Sequence, residues 1–142
     1  MRSIIVVDTD VLIDLEHNHA PWLKILLEEK TQQLVLPTIV ISEYWAATKF
    51  VSLKDQAEAE DLFSLFDKQD LTEPIAKKLG ILYRQKTYTT GASTADLIIA
   101  ATVIYLNGLL ATRNRTHFTK IPNLHFFDTH PPPGYSPTPG VY

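Results

Sequence analysis

The chain has 142 residues, 45% hydrophobic and 20% charged, which suits one soluble globular domain with one core and excludes a disordered chain. The net charge of −3 gives no overall basic footprint for nucleic acid, so any such surface must be local. The absence of cysteine excludes disulfides, thiolate nucleophiles, cysteine-type zinc sites and iron–sulfur clusters, and fits a reducing cytosol.

Residues 1–8 do not read as a signal peptide, because a short apolar run meets an acid at once. No apolar stretch approaches the roughly 20 residues of a membrane-spanning helix, so a cytoplasmic protein with no membrane partner is expected. Ile4-Ile5-Val6-Val7 is β-branched and wholly apolar, the pattern of a strand buried on both faces. Helices follow over 10–16 and 21–29, with Pro21 suited to a first turn. Leu34-Val35-Leu36 reads as a second strand, and Thr38 as the N-cap of a helix reaching Phe50.

Residues 57–66 form the next predicted helix, with Leu62, Phe63, Leu65 and Phe66 as its apolar face. Residues 73–84 are amphipathic about a stripe of Ala76, Leu79 and Tyr83, with Lys77, Lys78 and Arg84 off it. A polar loop over 88–93 surrounds Gly91, and Thr94 is placed to cap a strongly apolar helix stopped by Asn107-Gly108. Leu109-Leu110-Ala111 and His125-Phe126-Phe127 read as further strands. No internal repeat is visible. Short apolar strands alternating with helices predict an α/β sandwich with a mainly parallel sheet. From Thr129 the chain turns proline-rich, giving a domain over 1–128 and an extended tail over 129–142.

Three acids stand out. Asp8 directly follows the first strand, where a parallel sheet binds ligands outside its carboxyl edge; it could equally cap the following helix. Glu43 interrupts the nearly apolar Ile39-Val40-Ile41-Ser42-Glu43-Tyr44-Trp45, where an ionised side chain needs a partner or a polar stripe. Asp96 is the sole charge in the helix from Ala95 to Ile104, and could simply favour its N-terminus. Converging carboxylates repel: at an effective dielectric near 20, two charges 4 Å apart cost about 4 kcal/mol. A fold keeps such a group where something positive occupies it. With oxygen ligands, no cysteine and no ordered histidine set, that points to Mg²⁺ or Mn²⁺, ions that activate water and steady a phosphodiester.

Other constellations are weaker. His17 and His19 fall in a polar connection, no glycine-rich phosphate loop occurs, and no serine sits on a nucleophile elbow. Trp22, Trp45 and the tyrosines read as core or interface. The Lys77, Lys78, Arg84, Lys86 set and the Arg113, Arg115, Lys120 set could face a polyanion or simply be solvated surface. His117 is the histidine nearest the proposed site.

Four segments in order carry a resemblance: Val7-Asp8-Thr9-Asp10-Val11-Leu12-Ile13-Asp14, Ile41-Ser42-Glu43-Tyr44, Thr94-Ala95-Asp96-Leu97-Ile98-Ile99-Ala100 and Leu110-Ala111-Thr112-Arg113-Asn114. Phe118 and Ile121-Pro122-Asn123-Leu124 follow. Over residues 3 to about 128 the chain resembles the PIN domain, particularly toxin ribonucleases of the VapC type. The resemblance implies a three-layer α/β/α sandwich and a metal held by Asp8, Glu43 and Asp96. It implies an endoribonuclease leaving a 5′-phosphate and a 3′-hydroxyl, a toxin paired with a small antitoxin, and a homodimer. Thr112 would support the site through its hydroxyl. The family commonly adds a fourth acid where this chain has Asn114 or His117, so one-metal chemistry is expected, with Asn114 orienting water or lending its amide oxygen. Two alternatives stand beside this reading. One is a degenerate PIN module that binds RNA or a partner without cutting. The other is a phosphatase resembling the haloacid dehalogenases, in which Asp8 of Asp8-Thr9-Asp10 is the nucleophile; the acidic pair that family needs after a later strand is missing.

Overall fold

The computed structural model describes residues 2–85 and 91–129. Its strands are β1 (Ile4–Val7), β2 (Gln33–Pro37), β3 (Asp67–Gln69) and β4 (Leu109–Ala111). The helices are α1 (Thr9–Glu16), α2 (Pro21–Glu29), α3 (Thr38–Trp45), α4 (Leu53–Phe63), α5 (Glu73–Gln85) and α6 (Thr94–Leu106), with 3₁₀ turns at Thr48–Val51 and Arg115–His117. All strand pairs are parallel, in the order β3-β2-β1-β4. β1 is therefore bonded on both flanks, with Val6 opposite Val35 on one side and Leu110 on the other. Its Ile5, Val6 and Val7 are wholly buried, as a β-branched run without polar alternation requires.

The connections place the site. From β1 to β2 to β3 the chain advances in one direction; from β3 to β4 it crosses back past β1. Right-handed crossovers then put α1–α4 on one face and α5 and α6 on the other. The strand order reverses between β1 and β4, and open parallel sheets bind ligands outside the carboxyl ends of the strands at such a position. Asp8 lies there: its N–H donates to the Ala111 carbonyl at 3.0 Å, extending the β1–β4 pairing by one residue.

Several sequence expectations give way to packing. The helix expected to reach Phe50 ends at Trp45, and Ala47 is extended (φ −66°, ψ 135°). The break turns the chain so that Phe50 stacks on Trp45 (centroids 5.7 Å apart) and packs on Tyr44, an arrangement an unbroken helix would forbid. Thr38 is not the cap of α3, because β2 runs through Pro37 straight into the helix. α4 begins at Leu53, earlier than expected, because the Ser52 hydroxyl accepts from the Asp55 N–H at 3.1 Å. It also ends at Phe63, short of the expected Phe66. On α5 the buried residues are Ile75 and Leu82, while Ala76 and Tyr83 are exposed, so the apolar stripe is rotated from the expected one. Ser93, not Thr94, caps α6. The short polar β3 went unrecognised in the sequence, and its charges suit an exposed sheet edge. His125-Phe126-Phe127 makes one isolated bridge, Phe126 to Leu110, and no strand. Tyr88, Lys86 and the proline-rich segment from Pro131 onward lie outside the described residues.

α6 carries the chain back to β4 through Asn107, in the left-handed region at φ 53°, and Gly108. A Cβ at Gly108 would lie 2.9 Å from the Ile4 carbonyl oxygen and 3.1 Å from Ile4 Cγ2. Neither β-sheet backbone nor a β-branched side chain can easily give way. Gly108→Ala is therefore expected to destabilise the fold by about 1–3 kcal/mol, read as a lower urea midpoint with an unchanged denaturant slope.

Candidate functional site

Asp8 is 5% exposed and acts as the N-cap of α1. Its Oδ1 accepts the Thr9 N–H at 2.7 Å, and its Oδ2 accepts the hydroxyl of buried Thr112 at 2.8 Å. Capping and site placement are thus the same fact. The Thr112 Oγ1 also accepts the Asn114 N–H at 3.0 Å, so one hydroxyl ties the end of β4 to the end of β1.

Glu43 escapes the problem its apolar helix posed: it stands at the exposed surface of α3, and its Oε1 accepts the Thr9 hydroxyl at 2.7 Å. Thr9 thereby touches two of the three acids, one through its backbone and one through its side chain. Asp96 sits in a capping box. Its Oδ2 accepts the Ser93 N–H at 2.9 Å, and its own N–H donates to Ser93 Oγ at 3.1 Å. His117 Nδ1 lies 3.5 Å from the same Asp96 Oδ2. Asn114 is exposed and joins this region through its backbone.

The acids feel one another. Burial raises Asp8 above its ordinary pKa against hydrogen bonds from Thr112 and Thr9, and the Asp96 charge pushes it further up while His117 pulls down. Partial burial likewise raises Glu43, the Thr9 hydroxyl lowers it, and the charges of Asp8 and Asp96 raise it again. The donors are all oxygen, which fits a hard divalent cation. As placed, however, no three His, Asp or Glu side chains among the described residues stand close enough together to hold an ion.

Sequence reasoning missed a second layer under Asp8. Asp10 Oδ2 accepts the Arg113 N–H at 2.9 Å, and Arg113 Nε lies 2.7 Å from Asp14 Oδ2. Successive turns of α1 therefore grip residue 113 by backbone and by side chain. The signal was present as acids at i and i+4 on one helix face, opposite an arginine directly after Thr112. This grip commits Arg113, still exposed, to Asp14. Arg115 is exposed but engaged, donating to the Phe127 carbonyl at 3.0 Å and lying over the Phe126 ring. Trp22 packs on Phe127 and Trp45 on Phe50, both half-buried.

The family model of the PIN domain matches residues 5–124, and the chain belongs to that family. Among solved structures, the VapBC2 complex of Rickettsia felis, bound to a DNA fragment from its promoter, is similar at 24% identity. That match covers 87% of this chain and 97% of the other, with a TM-score of 0.72. A toxin–antitoxin complex from Klebsiella pneumoniae is 26% identical over 84% and 94% of the two chains, with a TM-score of 0.65. The DNA-bound VapBC of Salmonella typhimurium is 18% identical over 92% and 100%, with a TM-score of 0.77. Comparison with curated protein sequences gives no match. The expected α/β sandwich is the fold of these neighbours, and family membership sets aside the dehalogenase reading.

Burial and the neighbouring Asp8 charge, opposed by the Arg113 N–H and guanidinium, push the Asp10 pKa from 3.8 up to about 6. Asp14 is raised too, by burial first. An acid whose folded pKa is raised stabilises the fold fully below its unfolded pKa, and that contribution is lost as pH rises through the folded value. Glu16 works in the opposite sense: against upward pressure from burial, hydrogen bonds from Lys49 and Tyr44 draw it down. For Asp10 the shift corresponds to on the order of 3 kcal/mol at most. Without divalent metal, the melting temperature should therefore fall between about pH 4 and pH 6.5. Asp10→Asn, which keeps an acceptor for the Arg113 N–H, should flatten much of that fall in a thermal scan.

Proposed function

We propose that the chain is a metal-dependent endoribonuclease acting in the cytoplasm, the toxin of a type II toxin–antitoxin pair, with residues 1–128 as its nuclease domain. One observation carries the reading. Asp8, Glu43 and Asp96 come from the end of β1, from α3 and from α6 of a PIN fold, and beyond the rise that burial gives them Asp8 feels the charge of Asp96 and Glu43 the charges of Asp8 and Asp96. These three carboxylates would hold Mg²⁺ or Mn²⁺, whose positive charge would activate water and neutralise the phosphodiester. The chain's own residues do the rest. Thr112 and Thr9 fix the two Asp8 oxygens, and Thr9 holds Glu43, so both acids are oriented before substrate arrives. Ser93 does the same for Asp96. Asn114, where relatives commonly carry an acid, orients the attacking water through its amide. His117 turns Nδ1 to Asp96 and leaves Nε2 for a substrate phosphate oxygen. Water attacks in line: its P–O bond forms, the bond to the 3′ oxygen breaks, and a proton passes to that oxygen. The products carry a 5′-phosphate and a 3′-hydroxyl.

The antitoxin partner has a place to dock. A groove of about 610 Å³ is walled by Leu15, Leu27, Leu62 and Leu65 and edged by Glu28 and Glu58, suiting an amphipathic helix with basic flanks. The solved neighbours include a toxin–antitoxin complex, which supports a protein partner. A homodimer would use the apolar surface that Ile81, Tyr83 and Tyr105 leave exposed on α5 and α6.

The test is cleavage of a structured RNA pool by antitoxin-free protein in Mg²⁺, Mn²⁺ or EDTA, beside Asp8→Asn and Asp96→Asn. Asparagine at 96 keeps an oxygen for the Ser93 N–H, so that variant stays folded. Metal-dependent cleavage reduced at least about 100-fold in both variants is the expected result. Absence of cleavage with every metal, by folded protein, would overturn it in favour of a module that binds without cutting.

A further inference from the structure

Beside the carboxylates lies a second, smaller cavity of about 270 Å³, walled chiefly by Ile13, Tyr44, Ala47 and Phe50 from α1, α3 and the following 3₁₀ turn. Glu43 and Glu16 line it as well, and Glu43 is shared with the acidic site. His17 and Lys49 stand at its border. Its size is below the range of about 300–1,000 Å³ typical of clefts for drug-sized ligands, and suits a single flat ring system. Its composition is that of a base pocket: apolar and aromatic walls with a few polar groups at the edge.

One cation of the lining can meet a phosphate. Arg113 and Arg115, the arginines that follow β4, are turned toward Asp14 and the Phe127 carbonyl. Lys49 is different. Its ammonium lies 5.0 Å from the Phe50 ring centroid and pairs with Glu16, and both side chains are substantially exposed. A surface pair of that kind is worth at most about 1 kcal/mol, so a phosphate can compete for the lysine at little cost.

We propose that this cavity takes one unstacked base of the RNA substrate next to the cleaved phosphodiester, with Lys49 meeting the adjoining phosphate and His17 the base edge. The pocket would make cleavage selective for the nucleotide at one position beside the cut. The proposal rests on the ribonuclease reading above.

Ala47 is exposed at the mouth and belongs to neither the carboxylate site nor the core, so Ala47→Trp fills the cavity. Cleavage of a randomised RNA library, with sequencing of the ends produced, reads base preference position by position. Wild type should show a preference at one position flanking the cut. Ala47→Trp should lose that preference and raise KM about tenfold, while kcat stays within a few-fold. His17→Ala, at an exposed residue, should weaken the same preference and serves if the tryptophan variant melts early. Unchanged preference and KM in both variants would overturn the pocket while leaving the nuclease standing. A wild type that cuts nothing would overturn the nuclease instead. The pocket is then read by anisotropy of labelled rA, rC, rG and rU octamers on Asp8→Asn protein. A preference among the four octamers that Ala47→Trp abolishes supports the pocket, and equal binding by both proteins refutes it. If the filled variant instead loses inhibition by a protein partner with base preference intact, the cavity belongs to that partner and the proposal fails.

Discussion

The Thr112 hydroxyl donates to Asp8 Oδ2 at 2.8 Å in a setting where both residues are buried, joining positions 104 apart in sequence at the open end of the sheet. A carboxylate taken out of water is costly unless hydrogen bonds replace the lost solvent. Asp8 receives two, one from β4 and one from the helix it starts. The remaining site geometry follows from that anchor. α1 must begin at Thr9, Thr9 then presents its hydroxyl to Glu43, and the chain after Ala111 must stay close enough for Thr112 to reach back. The grip of Asp10 and Asp14 on Arg113 serves the same end from below.

Stability and function pull against each other at this point. Burial disfavours the ionised forms of Asp8, Asp10 and Asp14, and proximity adds repulsion among Asp8, Glu43 and Asp96. Asp10 Oδ1 and Asp14 Oδ1 are buried with no hydrogen-bond partner, a further cost borne beside the site. Nothing in core packing calls for this density of acid. It becomes intelligible if a cation shares the outer three carboxylates, and the inner two keep the segment after β4 in position.

Much of this was legible in the sequence because burial on both faces leaves a plain mark. Ile4–Val7, Leu109–Ala111 and the apolar α6 were readable from composition alone, and Asp8 and Asp96 stood out against that background. The spacing of the acid-bearing segments then led to the PIN family. What was not legible depends on contacts between distant residues. The end of α3 at Trp45 has no glycine or proline to announce it; it is imposed by Phe50 folding back onto Trp45. The rotated face of α5 is set by its packing along α6, which periodicity over thirteen residues does not resolve. β3 is three polar residues recruited by β2. Arg113 looked like an uncommitted surface cation until its partner on α1 was known.

The claim on which this account turns is that Asp8, Glu43 and Asp96 share one divalent cation. Titration of Mn²⁺ into the protein, followed by isothermal calorimetry, measures this without any substrate. The account predicts one saturable site in the wild type, weakened about tenfold or more by each of Asp8→Asn, Glu43→Gln and Asp96→Asn. Mn²⁺ binding of equal strength in all three variants would contradict it.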